Sequence, residues 1–279
     1  MQVIETIGEF RAARHRLSGT LGLVPTMGFL HEGHMTLVKR ARVENDHVAV
    51  SIFVNPAQFG PNEDYAGYPR DRDRDLSMLD GEGTDLLFIP TAAEMYPVGF
   101  QTAIEVAGVS QGLEGERRPG HFRGVATVVG KLFNIVTPDR AYFGQKDGQQ
   151  CAVIRQMVID LAIPIQVVIV PTVRAPDGLA LSSRNSYLTP EQRRAAPVLY
   201  RALSAARECY KAGSRSADEL RAVMRDTLAA EPLATIDYVS VADALTLREI
   251  PATISGPVML SMAVRLGRAR LIDNLLVGP

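Results

Sequence analysis

Short apolar runs alternate with amphipathic segments through the first two thirds of the chain. The runs typical of buried strands cover residues 21–25, 47–54, 85–90, 140–143 and 165–171. Between them lie helical patterns, of which 124–136 is the clearest because its apolar side chains recur at helical spacing and Pro138 follows its end. This alternation predicts an α/β fold with a parallel sheet covered by helices.

The pattern changes after residue 171. Residues 190–211 and 217–230 have the periodicity of exposed helices, and strand-like runs follow at 236–241, 258–264 and 270–276. Helices followed by strands predict a smaller α+β domain. We place the boundary near 172–176, with a first domain over 1–173 and a second over 174–279.

Composition narrows the class of protein. The 279 residues carry a formal net charge of -1, which gives no electrostatic footprint for nucleic acid. Cys151 and Cys209 are isolated and lie in helix-like surroundings, which favours a reducing compartment over a disulfide framework. The first residues lack a signal-peptide pattern, and no apolar run approaches the roughly 20 residues that span a bilayer. We therefore expect a cytoplasmic protein without a membrane segment.

Two histidines follow the first buried run. His31 and His34 lie in the segment 25–34, just before an amphipathic helix. The amino end of a helix after a strand attracts phosphate groups, and Gly28 and Gly33 allow a close approach. A zinc protease motif is excluded, since its histidines are four residues apart and these are three apart. Zinc bound through this pair alone and a purely structural pair remain open.

Three further polar clusters interrupt the apolar pattern, at 53–59, 144–150 and 181–185, and we expect each to follow a strand. Lys146 offers a charge to phosphate, and Asp147 an acceptor for a ribose hydroxyl or metal-bound water. The segment 182–184, Ser-Ser-Arg, is suited to stabilising a transferring phosphoryl group. The side-chain amides of Gln58 and Gln150 are suited to binding a carboxylate or hydroxyl of an organic acid. The alternatives are a solvated turn for 144–147, a polar interdomain loop for 182–184 and exposed surface side chains for Gln58 and Gln150.

Familiar nucleotide motifs are absent. Residues 124–131 have five residues instead of four before Gly-Lys, and Leu132 stands where a P-loop needs Ser or Thr. Residues 81–83 lack the third glycine of the dinucleotide fingerprint. These departures disfavour a P-loop ATPase and a Rossmann dehydrogenase.

Five segments together resemble the pantothenate synthetase family: 25–34, 53–59, 118–125, 142–150 and 182–185. The resemblance implies a Rossmann-like nucleotidyltransferase domain, a smaller α+β C-terminal domain that closes over ATP, and a homodimer. It also implies an AMP-forming ligase that joins pantoate to β-alanine through a pantoyl adenylate, with ATP as co-substrate and Mg²⁺ accompanying it.

The resemblance also assigns site residues. The implied catalytic residues are His31, His34, Lys146, Ser182, Ser183 and Arg184. The implied ATP-binding residues are Met27, Gly28, Phe29, Leu30, His31, Glu32, Gly33, His34, Gly144, Gln145, Lys146, Asp147, Val173, Leu181, Ser182, Ser183 and Arg184. Gln58 and Gln150 match pantoate-binding glutamines, and no dedicated protein ligands for a metal are expected.

One position departs from the family pattern. Gly148 stands where members commonly carry an aromatic or other bulky residue, so we expect looser packing between Asp147 and Gln150 and altered pantoate affinity without loss of activity. Two alternatives stay open. One is a nucleotidyltransferase that uses the same histidine turn on another acceptor, and the other is a non-catalytic nucleotide-binding regulator.

Overall fold

The structure is a computed structural model that describes residues 1–61 and 63–278. It divides into two compact units. The first comprises residues 1–144 and 150–171, and the second comprises residues 145–149 and the chain from Thr172 onward. The short segment 145–149 thus groups with the second unit, although it precedes the boundary expected from sequence.

The first unit contains a six-stranded sheet whose paired strands are all parallel. Its strands are β1 (Gln2–Ile4), β2 (Leu21–Thr26), β3 (His47–Ile52), β4 (Leu86–Phe88), β5 (Arg140–Gly144) and β6 (Gln166–Val170). The helices are α1 (Ile7–His15), α2 (Glu32–Glu44), α3 (Arg72–Gly81), α4 (Ala92–Met95), α5 (Leu113–Arg117), α6 (His121–Val136) and α7 (Gly148–Asp160), the last beginning with two residues of the second unit. The predicted parallel α/β architecture is confirmed.

The strand order β1-β4-β3-β2-β5-β6 places β2 between β3 and β5. The chain progresses to one side from β2 through β3 to β4, and to the other side from β5 to β6. Ligands of open α/β sheets bind beyond the carboxyl ends of the strands where the order reverses, which here is between β2 and β5. The histidine segment follows β2, and Gly144 ends β5.

Local sequence explains most of the element boundaries and the departures from them. The five predicted strands of this unit are present within about three residues of their expected ends. The short β1 was not predicted, since three residues at a sheet edge carry too little periodicity. The helix expected at 124–136 begins earlier, at His121, directly after left-handed Gly120.

The second unit contains a three-stranded antiparallel sheet packed with helices. Its strands are β7 (Ala234–Asp243), β8 (Val258–Leu266) and β9 (Ala269–Val277), and its helices are α8 (Pro190–Ala195), α9 (Val198–Lys211) and α10 (Ala217–Ala229). The single helix expected over 190–211 is wrong. It is broken at Pro197, which has no N–H to continue the hydrogen bonds of α8.

Both cysteines are free thiols on helices, as expected. Among the residues that the structure describes, no helix is both long and apolar enough to cross a membrane.

Helix α6 lies unusually close to the short 3-10 turn Pro56–Gln58 of the same unit. A Cβ on Gly124 would stand 2.1 Å from the Ala57 carbonyl oxygen and 2.7 Å from the Gln58 Cα. Both are backbone atoms, so side-chain rotation cannot relieve the clash. The glycine therefore sets the distance between α6 and the turn that carries Gln58.

We predict that Gly124→Ala lowers the free energy of unfolding by roughly 1–3 kcal/mol, the usual cost of overpacking. Gly8→Ala is the matched control, because Gly8 is also helical and a Cβ there meets nothing within 4 Å. It should be neutral or raise stability by up to about 1 kcal/mol. Denaturant unfolding of the two variants tests this, and equal stabilities would contradict the close approach.

Candidate active site

The histidine segment connects β2 to α2. His31 is the N-cap of α2, where its Nδ1 accepts a hydrogen bond from the Gly33 N–H at 3.2 Å. The Nδ1 of His34 accepts from the His31 N–H at 3.3 Å, and the two rings lie 4.1 Å apart. Since both Nδ1 atoms act as acceptors, the hydrogen bonds assign the proton of a neutral ring to Nε2 in both residues. The arrangement provides two N–H donors at a helix amino end.

The backbone of the turn before His31 adopts positive φ angles that few residues tolerate. Gly28 has φ +80°, and a Cβ there would lie 3.1 Å from the Asp75 carboxylate and 3.0 Å from Ile52. Phe29 is left-handed as well, with φ +49°, which is unfavourable for a residue with a side chain. Such a conformation persists only where the surroundings hold it.

Asp75 of α3 holds this turn. Its two carboxylate oxygens accept from the Phe29 N–H at 2.8 Å and from the Leu30 N–H at 2.7 Å. The residue is 2% exposed, and burial raises the pKa of its carboxyl while these two bonds favour the ionised form. Sequence analysis missed Asp75, because it lies 45 positions after Leu30 within a run of alternating acidic and basic residues.

Gln58 is buried, at 8% exposure, so the alternative of an exposed surface glutamine is wrong for this residue. Its Nε2 donates to the Met27 sulfur at 3.1 Å, and its Oε1 accepts from the Asn55 amide at 3.1 Å. Asn55 also donates to the Gly124 carbonyl and accepts from the Tyr96 hydroxyl. The structure thus brings Gln58 next to the histidine segment, whereas Gln150 is half-buried at the start of α7.

An ion pair and the hydrogen bonds that continue from it hold the backbone of Gln58. Glu63 pairs with Arg118 through two hydrogen bonds of 2.7 Å, Arg118 donates to His121 Nε2 at 3.1 Å, and His121 Nδ1 lies 2.8 Å from the Gln58 carbonyl. Burial, with the neighbouring guanidinium, lowers the pKa of His121 to about 4. The ring is therefore neutral near pH 7, with its proton on Nδ1 donated to Gln58.

The second unit holds the predicted site residues of 145–147, 173 and 181–184, whereas Gly144 ends β5 in the first unit. Gln145–Asp147 forms a 3-10 turn in which the Lys146 ammonium lies 3.3 Å from Asp147 Oδ1. Leu181 donates its N–H to the Val173 carbonyl at 3.0 Å, so these two predicted residues are neighbours. Ser182 caps the 3-10 helix Ser183–Tyr187 by accepting from the Arg184 N–H at 3.3 Å. The expectation that 181–185 follows a strand directly is wrong, since β6 ends at Val170.

Comparison with known proteins gives the family. A family model described as pantoate-β-alanine ligase matches residues 2–276. A protein named pantothenate synthetase from Chloroflexus aggregans is 64% identical over 277 residues, covering 99% of this chain and all of that protein. The chain belongs to the pantoate-β-alanine ligase family.

Relatives and solved structures agree with this assignment. Pantothenate synthetase from Roseiflexus castenholzii is 60% identical and covers 99% of both chains. The crystal structure of pantothenate synthetase from Thermus thermophilus superposes with a TM-score of 0.95 at 52% identity, over 100% of each chain. The Francisella tularensis ligase, at 38% identity, covers 99% of this chain and 97% of its own and has a TM-score of 0.81. The expected fold and family are confirmed, and the protein is a ligase, which disfavours a non-catalytic regulator.

We predict that Asp75→Asn lowers the kcat of the ligase about ten- to a hundredfold, because the amide keeps one acceptor but turns a donor toward a backbone N–H. Asp73→Asn is the control, since Asp73 is an exposed carboxylate in the first turn of the same helix. Steady-state kinetics and thermal unfolding of both variants are the measurements. Equal kcat in the two variants would show that Asp75 does not set the geometry of the turn.

A second prediction concerns pH. The folded pKa of His121, about 4, lies below its ordinary value of 6.5, so the unfolded chain binds more protons between these values. Stability should therefore fall as pH falls through this window, with His121 contributing about 3 kcal/mol of the change. His121→Gln should flatten the decline relative to the wild type, measured by denaturant unfolding at several pH values. His15→Gln, which replaces an exposed histidine, should retain it, and identical pH profiles for both variants would refute the assignment.

Proposed function

We propose that this ligase joins pantoate to β-alanine in two steps, at the expense of ATP. The observation that carries the proposal is the histidine pair at the amino end of α2, in which both Nδ1 atoms accept from backbone N–H groups and Nε2 is left as the position for the ring proton. The Francisella tularensis ligase was crystallised in complex with a β,γ-ATP compound and β-alanine, which supports ATP and β-alanine as substrates here.

In the first step, a carboxylate oxygen of pantoate attacks the α-phosphorus of ATP. A bond forms between that oxygen and phosphorus, and the bond from phosphorus to the bridging oxygen of pyrophosphate breaks. The products are pantoyl adenylate and pyrophosphate. Because the substrate carboxylate is the nucleophile, the protein need only orient the reactants and stabilise charge on the phosphate oxygens.

We propose that six residues stabilise the negative charge on the phosphate oxygens. The Nε2–H groups of His31 and His34 donate hydrogen bonds to phosphate oxygens, with His34 stabilising the charge on the departing pyrophosphate without transferring its proton. The remaining donors are Lys146, Ser182, Ser183 and Arg184. Neutral imidazoles suit this task, because a proton on Nδ1 would break the two bonds that orient the rings.

Other residues bind rather than react. Gln58 and Gln150 hold the carboxylate and hydroxyls of pantoate, and the buried network behind Gln58 fixes its amide. The segment 144–147 holds adenosine and Val173 contacts adenine. Met27, Gly28, Phe29, Leu30, Glu32, Gly33 and Leu181 complete the proposed ATP-binding set.

In the second step, the β-alanine amine attacks the acyl carbon of the adenylate. A carbon–nitrogen bond forms, the bond from the acyl carbon to the phosphate oxygen breaks, and AMP leaves with that oxygen. The amine releases its proton to water as the amide forms. No covalent intermediate with the enzyme is required.

We also propose that Mg²⁺ accompanies ATP. Within the described part of the chain, no cluster of three or more His, Cys, Asp or Glu side chains could hold a metal, so Mg²⁺ would enter with ATP, bound by phosphates and water. We assign ATP and pantoate binding to the first domain and a lid role to the second. We propose a homodimer, as the family resemblance implies. A cytoplasmic location agrees with the two free thiols.

Exchange of labelled pyrophosphate into ATP tests the first step alone. We predict that the wild type exchanges only with pantoate present, and that His34→Ala loses this exchange while its thermal unfolding shows an intact fold. His15→Ala is the control, because His15 is exposed at the end of α1. Near-wild-type exchange in His34→Ala would make the histidine structural. Exchange that requires another acid would identify a different acceptor.

A further inference from the structure

Asn274 of β9 makes three hydrogen bonds to the segment that contains Lys146. Its Nδ2 donates to the Gln145 carbonyl at 2.9 Å and to the Lys146 carbonyl at 2.8 Å, and its Oδ1 accepts from Gln145 Nε2 at 2.9 Å. The side chain is 4% exposed, and all these groups belong to the second unit. One buried amide thus holds the peptide groups on both sides of Lys146.

Neighbouring contacts hold Asn274 itself in place. Its own N–H donates to Asp273 Oδ1 at 2.8 Å, and Asp273 pairs with Arg174 through bonds of 2.5 and 2.9 Å. Arg174 also donates to the Gly178 carbonyl and packs over the Tyr200 ring at 4.1 Å. The position of the amide is therefore set by a buried ion pair as well as by the strand.

Gly148 makes room for this amide. A Cβ at Gly148 would lie 3.1 Å from Asn274 Nδ2 and 2.9 Å from the Met259 sulfur. The volume that a bulky side chain would need is occupied by these two residues of the second unit. The space beside Gly148 is therefore filled on the side of Met259 and Asn274, while looser packing between Asp147 and Gln150 stays a prediction.

We propose that Asn274 is a positioning residue for adenylation, which acts by holding the backbone of Lys146 so that its ammonium meets the ATP phosphates. This inference rests on the proposed phosphate role of Lys146. The physical basis is entropic and geometric: a 3-10 turn with two carbonyls tied to one rigid amide restricts where the lysine side chain begins. A purely structural asparagine would stabilise the fold without acting through Lys146.

A double-mutant cycle separates the two roles. Pantoate-dependent pyrophosphate exchange is measured for the wild type, Asn274→Ala, Lys146→Ala and the double variant, with full ATP titrations. Removing three hydrogen bonds should lower kcat/KM for ATP about tenfold or more in Asn274→Ala. If Asn274 acts through Lys146, the double variant should lie within about threefold of Lys146→Ala.

Ser261→Ala is the matched control. Ser261 pairs with Asn274 in the register of β8 and β9, is also buried, and its hydroxyl has no hydrogen-bond partner among the described residues. It should keep wild-type exchange. Gly148→Ala is a second variant that disturbs the same contact without removing any polar group, and it should lower kcat/KM for ATP in the same direction but by less.

Independent losses that multiply in the double variant would overturn the proposal, as would wild-type kcat/KM in Asn274→Ala. Wild-type exchange in Lys146→Ala would remove the phosphate role of the lysine and the inference with it, while leaving the ligase function intact. Amide hydrogen exchange of residues 145–149 requires no activity. Amide hydrogen exchange should be faster in Asn274→Ala than in Ser261→Ala. Equal protection in the two variants would contradict the positioning role, even if the wild type showed no pantoate-dependent pyrophosphate exchange.

Discussion

The site in the first unit depends on one buried carboxylate. Asp75 satisfies two consecutive backbone N–H groups at a turn that has two left-handed residues in succession, Gly28 and Phe29. A buried charge is costly unless it is hydrogen-bonded, and a left-handed Phe is costly unless it is held. The same pair of bonds opposes both costs, although burial still raises the pKa of the Asp75 carboxyl overall. The result fixes where α2 begins and therefore where the two imidazoles lie.

The same principle recurs elsewhere in the molecule. His121, kept neutral by burial and by Arg118, donates to the Gln58 carbonyl, and Asn274 donates to the carbonyls of Gln145 and Lys146. In each case a buried side chain from a distant element satisfies backbone atoms of a short irregular segment, because such segments lack the repeating bonds of a helix or sheet. The backbone of two residues expected to contact substrate, Gln58 and Lys146, is thereby held in place.

The sequence alone predicts the scaffold and the reactive segments because these are local patterns. Apolar periodicity indicates the strands beside the histidines, and the motifs around His31, Gln58 and Lys146 indicate the family. It does not reveal Asp75 or Asn274, whose contacts span 45 and more than 120 residues and whose neighbours in the chain give no signal. The tight fit of Gly148 is equally invisible, since it depends on Met259 and Asn274, which only folding brings close.

Nitrogen NMR of the imidazole rings tests the central claim most directly. With labelled histidine, the rings of His31 and His34 should both be in the Nε2–H tautomer, with Nδ1 unprotonated, and the Nε2 signals should shift when a non-hydrolysable ATP analogue is added. Resonances are assigned by comparison with single His→Gln variants. Rings that carry the proton on Nδ1, or that are indifferent to the analogue, would contradict the account of the histidine pair as phosphate-facing donors held by the backbone.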